Sequence, residues 1–195
     1  MSLNVNEIFY SLQGEGARQG EASVFIRLSG CNLKCNYCDT DFAEGTEMSL
    51  GQILSFIQSY PCKWIIWTGG EPTLQLTDEI LLFFKQQGYW QAIESNGHLK
   101  LSNLLDYTVV SPKGPHPIYA KEINPEVNEV RLPVEKDQKI PPVEWFPLAR
   151  YYFLSPVFTP DAHSTNANIQ YCVEYIQQHP EWRLSVQMHK LIGIA

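Results

Sequence analysis

The chain has 195 residues, room for one sizeable domain rather than two, and its 44% hydrophobic and 18% charged content is an ordinary globular balance. The formal net charge is −7 with the acids spread along the chain, which argues against non-specific binding to nucleic acid or an anionic membrane. No run of about 18 apolar residues occurs, so no membrane-spanning helix is expected.

The opening MSLNVNEIFY lacks the basic and apolar regions of a signal peptide. Three of the five cysteines crowd into one short stretch, unlike the framework of a secreted disulfide protein, so a reducing cytoplasm is the expected setting.

In chain order, ASVFIRLSG (22–30) is a β-rich apolar run closed by Ser-Gly and predicts a buried strand. The cysteine cluster follows. Leu50, Ile53, Leu54 and Ile57 then recur on one helical face, with Ser49 placed to cap it. KWIIWTGGEP (63–72) predicts a second strand stopped by glycine and proline. TDEILLFFKQQG (77–88) predicts a second helix, with Thr77 as cap, Asp78 and Glu79 in its first turn and Gly88 as its stop.

YWQAIESNG (89–97) and YTVVSPKG (107–114) predict a third and fourth strand, and NEVRLPVE (128–135) a fifth. Residues 136–147 carry three prolines and no helical period, which reads as a loop. YYFLSPVF (151–158) predicts a sixth strand. NANIQYCVEYIQQHP (166–180) predicts a third long helix with Ile169, Val173 and Ile176 on one face, and the tail from Glu181 is strand-like.

Strands alternating with helices imply parallel pairing through right-handed crossovers. Six strands and three main helices are too few for an eightfold barrel. The expected fold is therefore α/β, an open, partial parallel β/α barrel forming a single domain over 1–195. In such folds the site sits on the loops after the strands. Polar and glycine residues crowd these loops, in SGC, TGGEP, ESNG, SPKG and SPVF.

Cys31, Cys35 and Cys38 have the spacing C-x3-C-x2-C. Soft thiolates select iron–sulfur clusters, zinc or copper(I). Zinc needs a fourth ligand such as His98, His163 or His189, and none stands at zinc-finger spacing. A 4Fe–4S cube normally takes four thiolates, so three leave one iron open to an outside ligand. Buried structural thiols fit poorly in a loop rich in Asn, Lys and Asp.

This loop after the first strand of a partial barrel, with the aromatic Tyr37 before its last cysteine, resembles the radical S-adenosylmethionine superfamily. The resemblance implies a 4Fe–4S cluster whose open iron is chelated by S-adenosylmethionine, and reductive cleavage that yields a hydrogen-abstracting 5′-deoxyadenosyl radical. It also implies that TGGEP binds the cofactor's methionine group, through Gly70 above all and Glu71 after it. Tyr37, Asp39, Glu94, Ser111, Pro112, Lys113, Ser155 and Pro156 are further cofactor contacts by the same resemblance. Ser155 and Phe158 depart from the residues expected in the last of these segments, which leaves main-chain contact there. On local chemistry alone, TGGEP, ESNG and SPK are also ordinary turns.

The short chain, the N-terminal block EIFYSLQGEG and the tail VQMHKLIGIA narrow the match. Together they resemble the 7-carboxy-7-deazaguanine synthase family of queuosine and 7-deazapurine biosynthesis, over essentially the whole chain. The resemblance implies a lyase: Mg2+-dependent ring contraction of 6-carboxy-5,6,7,8-tetrahydropterin to 7-carboxy-7-deazaguanine with loss of ammonia. Leu12, Gln13, Gly14, Glu15, Arg27, Thr68 and the carboxylate of Ala195 are implied to hold substrate, and Thr40 to hold the metal. Asp39 and Asp41 are harder ligands by chemistry alone, so Thr40 rests on the resemblance.

Residue chemistry suits that ligand. Gln13 both donates and accepts. Arg27 lies within an apolar strand, where an unpaired charge is costly, so it faces solvent or an anion such as the substrate carboxylate. His189 and Lys190 fall near the expected substrate. Cys62, Cys172, His98, His116, His163 and His179 read as structural or solvated. The implied partners are a flavodoxin- or ferredoxin-type electron donor and a second copy in a homodimer, with Trp145 and Phe146 as surface apolar residues; no nucleic acid and no membrane are expected. A glycyl-radical-activating enzyme shares the cysteine spacing, and a non-catalytic iron–sulfur or zinc module is the reading outside enzymes.

Overall fold

The structure, a computed structural model, describes residues 1–38, 44–114 and 116–194. Its nine-stranded sheet is ordered β3-β1-β2-β4-β5-β6-β7-β8-β9. Seven of these strands run parallel: β2 (Ala22–Leu28), β4 (Trp64–Gly69), β5 (Trp90–Ser95), β6 (Tyr107–Val110), β7 (Glu126–Val134), β8 (Leu148–Pro156) and β9 (Trp182–Leu184). The first six are those the sequence predicts. The sheet curves without closing: among the described residues its edge strands do not pair with each other.

Two antiparallel strands extend one edge beyond the sequence expectation. β1 (Ser2–Leu12) pairs with β2, and β3 (Thr46–Ser49) pairs with β1. The signal for β1 is weak because SLNVNEIFYSL mixes apolar and polar residues, as an edge-side strand does. The tail differs too. Only Trp182–Leu184 is strand, and Met188–Ile192 turns into the short helix α5, ended by Gly193 in the left-handed region at φ 69°.

Helices α1 (Leu50–Ile57), α2 (Asp78–Gln86) and α4 (Ala162–Gln178) are the three expected, and α3 (Ile118–Ile123) is a one-turn addition. Ser49 caps α1 in a full capping box with Gln52, and Leu50, Ile53 and Ile57 are buried beneath it. Thr77 occupies the N-cap position of α2, but its side chain makes no capping bond.

The third helix faces the core differently from the expected Ile169–Val173–Ile176 face, of which Ile176 packs against the main core. Its buried residues are Thr165, Asn168 and Cys172. Asn168 turns inward because two loop groups need it: its Oδ1 accepts from Lys136 N (2.7 Å) and its Nδ2 donates to Val157 O (2.7 Å). Phe146 is also a correction: it is 1% exposed and packs edge-on against Trp182, while Trp145 is exposed.

Alternation along each strand divides the sheet into two faces. Val24, Ile26 and Leu28 of β2 join the main core with the helices. Phe25, Ile66 and Ala92 form a separate cluster on the other, concave face, joined by Phe9, Trp64 and Tyr107. No described helix is long and apolar enough to cross a membrane.

Candidate active site

The cysteine loop springs from the C-terminal end of β2 and is joined by backbone to the end of β4. Gly70 N donates to Leu28 O (2.9 Å), and Glu71 N donates to Gly30 O (2.8 Å). The fit is so close that a Cβ at Gly70 would overlap the Gly30 carbonyl oxygen. Asn96, after β5, donates from Nδ2 to Asn32 Oδ1 (2.8 Å) and holds the loop from another side.

Glu71 plays a different part from Gly70. It is 0% exposed and lies behind the loop. Its carboxylate accepts from Thr73 N (3.1 Å), Thr73 Oγ1 (2.6 Å), Ser95 Oγ (2.9 Å) and Asn96 N (2.8 Å). Four donors hold a buried anion in place without a cation, and they lock the ends of β4 and β5 together.

Cys31, Cys35 and Cys38 all line one cavity of about 510 Å³. Burial pushes the Cys31 thiol up, while Leu33 N, donating to its sulfur at 3.4 Å, acts the other way. Burial also lifts the Tyr37 phenol above its usual range. Among the described residues, no three thiol, imidazole or carboxylate groups converge as a single metal ion would require. The thiols stand on the wall of a larger space.

Strand register explains which other residues reach this space. On the concave face Phe25 pairs with Ile66, and Arg27 two residues on pairs with Thr68. Ile66 pairs with Ala92, so Glu94 follows at the level of Thr68. Val109 pairs with Glu129, Glu129 with Tyr151, and Pro133 with Ser155. Apolar side chains therefore fill the N-terminal half of the concavity, and Arg27, Thr68, Glu94 and Ser155 crown it.

The floor comes from an unexpected direction. Leu12 pairs with Ala22, so the loop 13–21 lies at the beginnings of the parallel strands. It folds inward across that mouth. Gly16 N donates to Ser185 Oγ (2.9 Å), Ala17 N to Glu129 Oε2 (3.0 Å), and the Arg18 guanidinium stacks 3.7 Å from the Trp64 ring centre. Gly16 has φ 73°, and a Cβ there would run into Glu129 and Arg131. The tail seals the side: Met188 N donates to Gly14 O (2.9 Å), and Gln187, His189 and Lys190 line the cavity.

At the centre is a charge cluster. Arg131 is buried and contacts Glu15 (2.9 Å), Glu94 (3.1 Å) and Glu129 (2.7 Å). Burial opposes its charge, but the three carboxylates outweigh burial and hold its pKa above the usual value. Burial, reinforced by Glu129 and Glu15, pushes Glu94 up. Lys113 donates to Ser111 Oγ (2.7 Å), and burial pushes its amine down. Gln13 donates to Glu94 Oε1 (3.0 Å), and Ser155 to Glu15 Oε1 (3.1 Å).

Of the substrate-side residues expected from sequence, Leu12, Gln13, Gly14, Glu15, Arg27 and Thr68 line the cavity. On the cofactor side Tyr37, Gly70, Glu94, Ser111, Lys113, Ser155 and Pro156 do so. Pro112 is buried and does not appear on the wall. Asp39, Thr40 and Ala195 lie outside the described residues. Arg27 is joined to Glu7 (2.7 Å) while lining the cavity, which meets the cost of placing it in an apolar strand. Glu129 and Arg131 are absent from the sequence reading. Arg27 stands out as a lone charge in an apolar strand, whereas Glu129 and Arg131 alternate within NEVRLPVE as the charges of a solvent-facing strand do.

The donor set fits a thiolate-bound cluster with a ligand beside it. Three soft donors share a wall with a strand end, Gly69–Gly70, where backbone approaches backbone so closely that only glycine fits at residue 70. An open parallel barrel with this triad defines an enzyme of the radical S-adenosylmethionine class, and residues 25–132 match the Radical SAM superfamily model. That class works with a 4Fe–4S cluster and S-adenosylmethionine.

Relatives narrow it. The chain is 41% identical over 194 residues to the 7-carboxy-7-deazaguanine synthase of Bacteroides thetaiotaomicron, covering 100% of both chains. It is 40% identical to that of Haemophilus influenzae, covering 99% of this chain and 94% of the relative. The solved structure of QueE from Escherichia coli shares the fold, with a TM-score of 0.74 over 97% of this chain and 95% of that one at 24% identity. The chain belongs to the 7-carboxy-7-deazaguanine synthase family.

Proposed function

We propose that the chain is a single-domain 7-carboxy-7-deazaguanine synthase, contracting 6-carboxy-5,6,7,8-tetrahydropterin to 7-carboxy-7-deazaguanine with release of ammonia. One observation carries the reading: the cysteine triad, the Gly69–Gly70 strand end and the polar floor Gln13–Glu15 all line one 510 Å³ cavity. When bound, the cluster and S-adenosylmethionine supply one-electron chemistry and a hydrogen-abstracting radical. The protein's own residues bind, orient and exclude water.

In this reading Cys31, Cys35 and Cys38 hold the cluster. Gly70, Tyr37, Asp39, Glu94, Ser111, Lys113, Ser155 and Pro156 form the cofactor side, with Pro112 buried between Ser111 and Lys113 as their support. Arg27 pairs with the substrate carboxylate, a geometry its guanidinium suits. Gln13 and Glu15 meet the donor and acceptor edge of the pterin, with Leu12, Gly14 and Thr68 beside them. Thr40 holds Mg2+, and the Ala195 carboxylate completes the substrate site. The enzyme works in the cytoplasm as a homodimer, with a flavodoxin- or ferredoxin-type electron donor and with neither nucleic acid nor membrane as partner.

The test is anaerobic reconstitution of the cluster, followed by dithionite, S-adenosylmethionine, Mg2+ and the carboxypterin, with mass spectrometry of the product. The deazaguanine acid is expected. 5′-Deoxyadenosine without that acid would keep the superfamily and reject the substrate. Neither product would leave only a binding module.

A further inference from the structure

The Arg131 guanidinium has two working sides. Nε and Nη2 both reach Glu129 Oε1, at 2.9 and 2.7 Å. Glu129 is itself fixed: its Oε2 accepts from Tyr107 OH (3.0 Å) and from Ala17 N (3.0 Å) of the floor loop. This side anchors the arginine. Nη1 points the other way and donates to Glu15 Oε2 (2.9 Å) and Glu94 Oε2 (3.1 Å), while Nη2 also reaches Glu94 Oε1 (3.3 Å). Glu15 and Glu94 line the cavity, and Glu129 does not.

We propose that Arg131 is a positioning residue: anchored by Glu129 and Tyr107, its fork holds Glu15 on the substrate side and Glu94 on the cofactor side in one fixed relation. Geometry supports more than charge neutralisation. Three carboxylates surround one guanidinium, so charge alone leaves them repelling one another, and the planar fork fixes all three through five contacts, more than the three donors of an ammonium can supply. Burial already pushes Glu94 toward its neutral form, so this anion depends on the arginine beside it. The inference rests on the assignment of Glu15 to substrate and Glu94 to cofactor made above.

The test compares Arg131→Lys with the parent enzyme, reading cluster content, melting temperature, kcat, and KM for pterin and for S-adenosylmethionine separately. Lysine keeps the charge and loses the fork. With cluster content retained, KM is expected to rise about tenfold for both ligands, in line with the loss of a charge-assisted bond on each side. Glu129→Gln retains Arg131 but weakens its anchor, and is expected to raise both constants in the same direction by a smaller factor. Should Arg131→Lys fail to fold, Glu129→Gln decides.

A lower melting temperature with both KM values unchanged would show a purely structural ion cluster and overturn the proposal. A change in one KM alone would overturn the linkage of the two sides. Failure of the underlying functional reading looks different, because the parent enzyme would then make no deazaguanine acid.

Discussion

A methyl group at residue 70 has nowhere to go, because the Gly30 carbonyl already occupies its place and is hydrogen-bonded to Glu71 N. Gly70→Ala must push the cysteine loop away from the strand end. A displacement of that order costs roughly 100-fold in turnover and about 1–3 kcal/mol in stability; kinetics and thermal melting of the variant check both. Glu94 gives a pH test. Its folded-state pKa is raised above the ordinary 4.5, so its contribution to stability is fully present below 4.5 and is lost as pH rises through the elevated value. Glu94→Gln removes this loss. The melting temperatures of parent and variant should therefore draw together below pH 4.5 and separate above it, with the variant the more stable. At this scale the sequence exposes a residue when its chemistry clashes with its neighbours. Arg27 was legible because a lone charge stands out in VFIRLSG. Glu129 and Arg131 were not, because alternating charges in NEVRLPVE look like the solvent face of an ordinary strand, and only the curvature of the sheet turns that face inward.

Among elements, α1 shows how far local chemistry carries. Ser49 and Gln52 exchange side-chain and backbone bonds at its start, and Ile53 and Ile57 are fully buried below it. Ser49→Ala removes the box and should cost about 1 kcal/mol, lowering the melting temperature by about 2–4 °C in a chain of this size. Gly51 tests the opposite sign on the same helix. Its Cβ would meet nothing within 4 Å, so Gly51→Ala should stabilise by about 0.5–1 kcal/mol with activity unchanged. Helix propensity and capping were legible because they are local. The face of α4 was not. Its inward Asn168 answers to Lys136 and Val157, groups outside the helix, 32 and 11 residues away, that come near only on folding. β1 was missed for a related reason: its pairing with β2 comes from tertiary position, and its own pattern is mixed.

For the whole molecule, an open barrel must have its mouth and seam covered by something other than strands. Loop 13–21 covers the N-terminal mouth, and the tail through Met188 covers its flank. The six parallel strands and the placement of polar loops at their ends followed from alternation and turn chemistry. The floor did not, since the rule that sites sit at C-terminal strand ends says nothing of a loop entering from below; Gln13 and Glu15 were reached through resemblance alone. In the proposed function this one cavity holds cluster, cofactor and pterin together. The measurement that decides this is anaerobic turnover with the reduced cluster, S-adenosylmethionine, Mg2+ and the carboxypterin, counting deazaguanine acid and 5′-deoxyadenosine together. Deazaguanine acid is expected from the intact enzyme, and loss of all product in Cys35→Ala. No acid from the intact enzyme, or acid undiminished in Cys35→Ala, would contradict it.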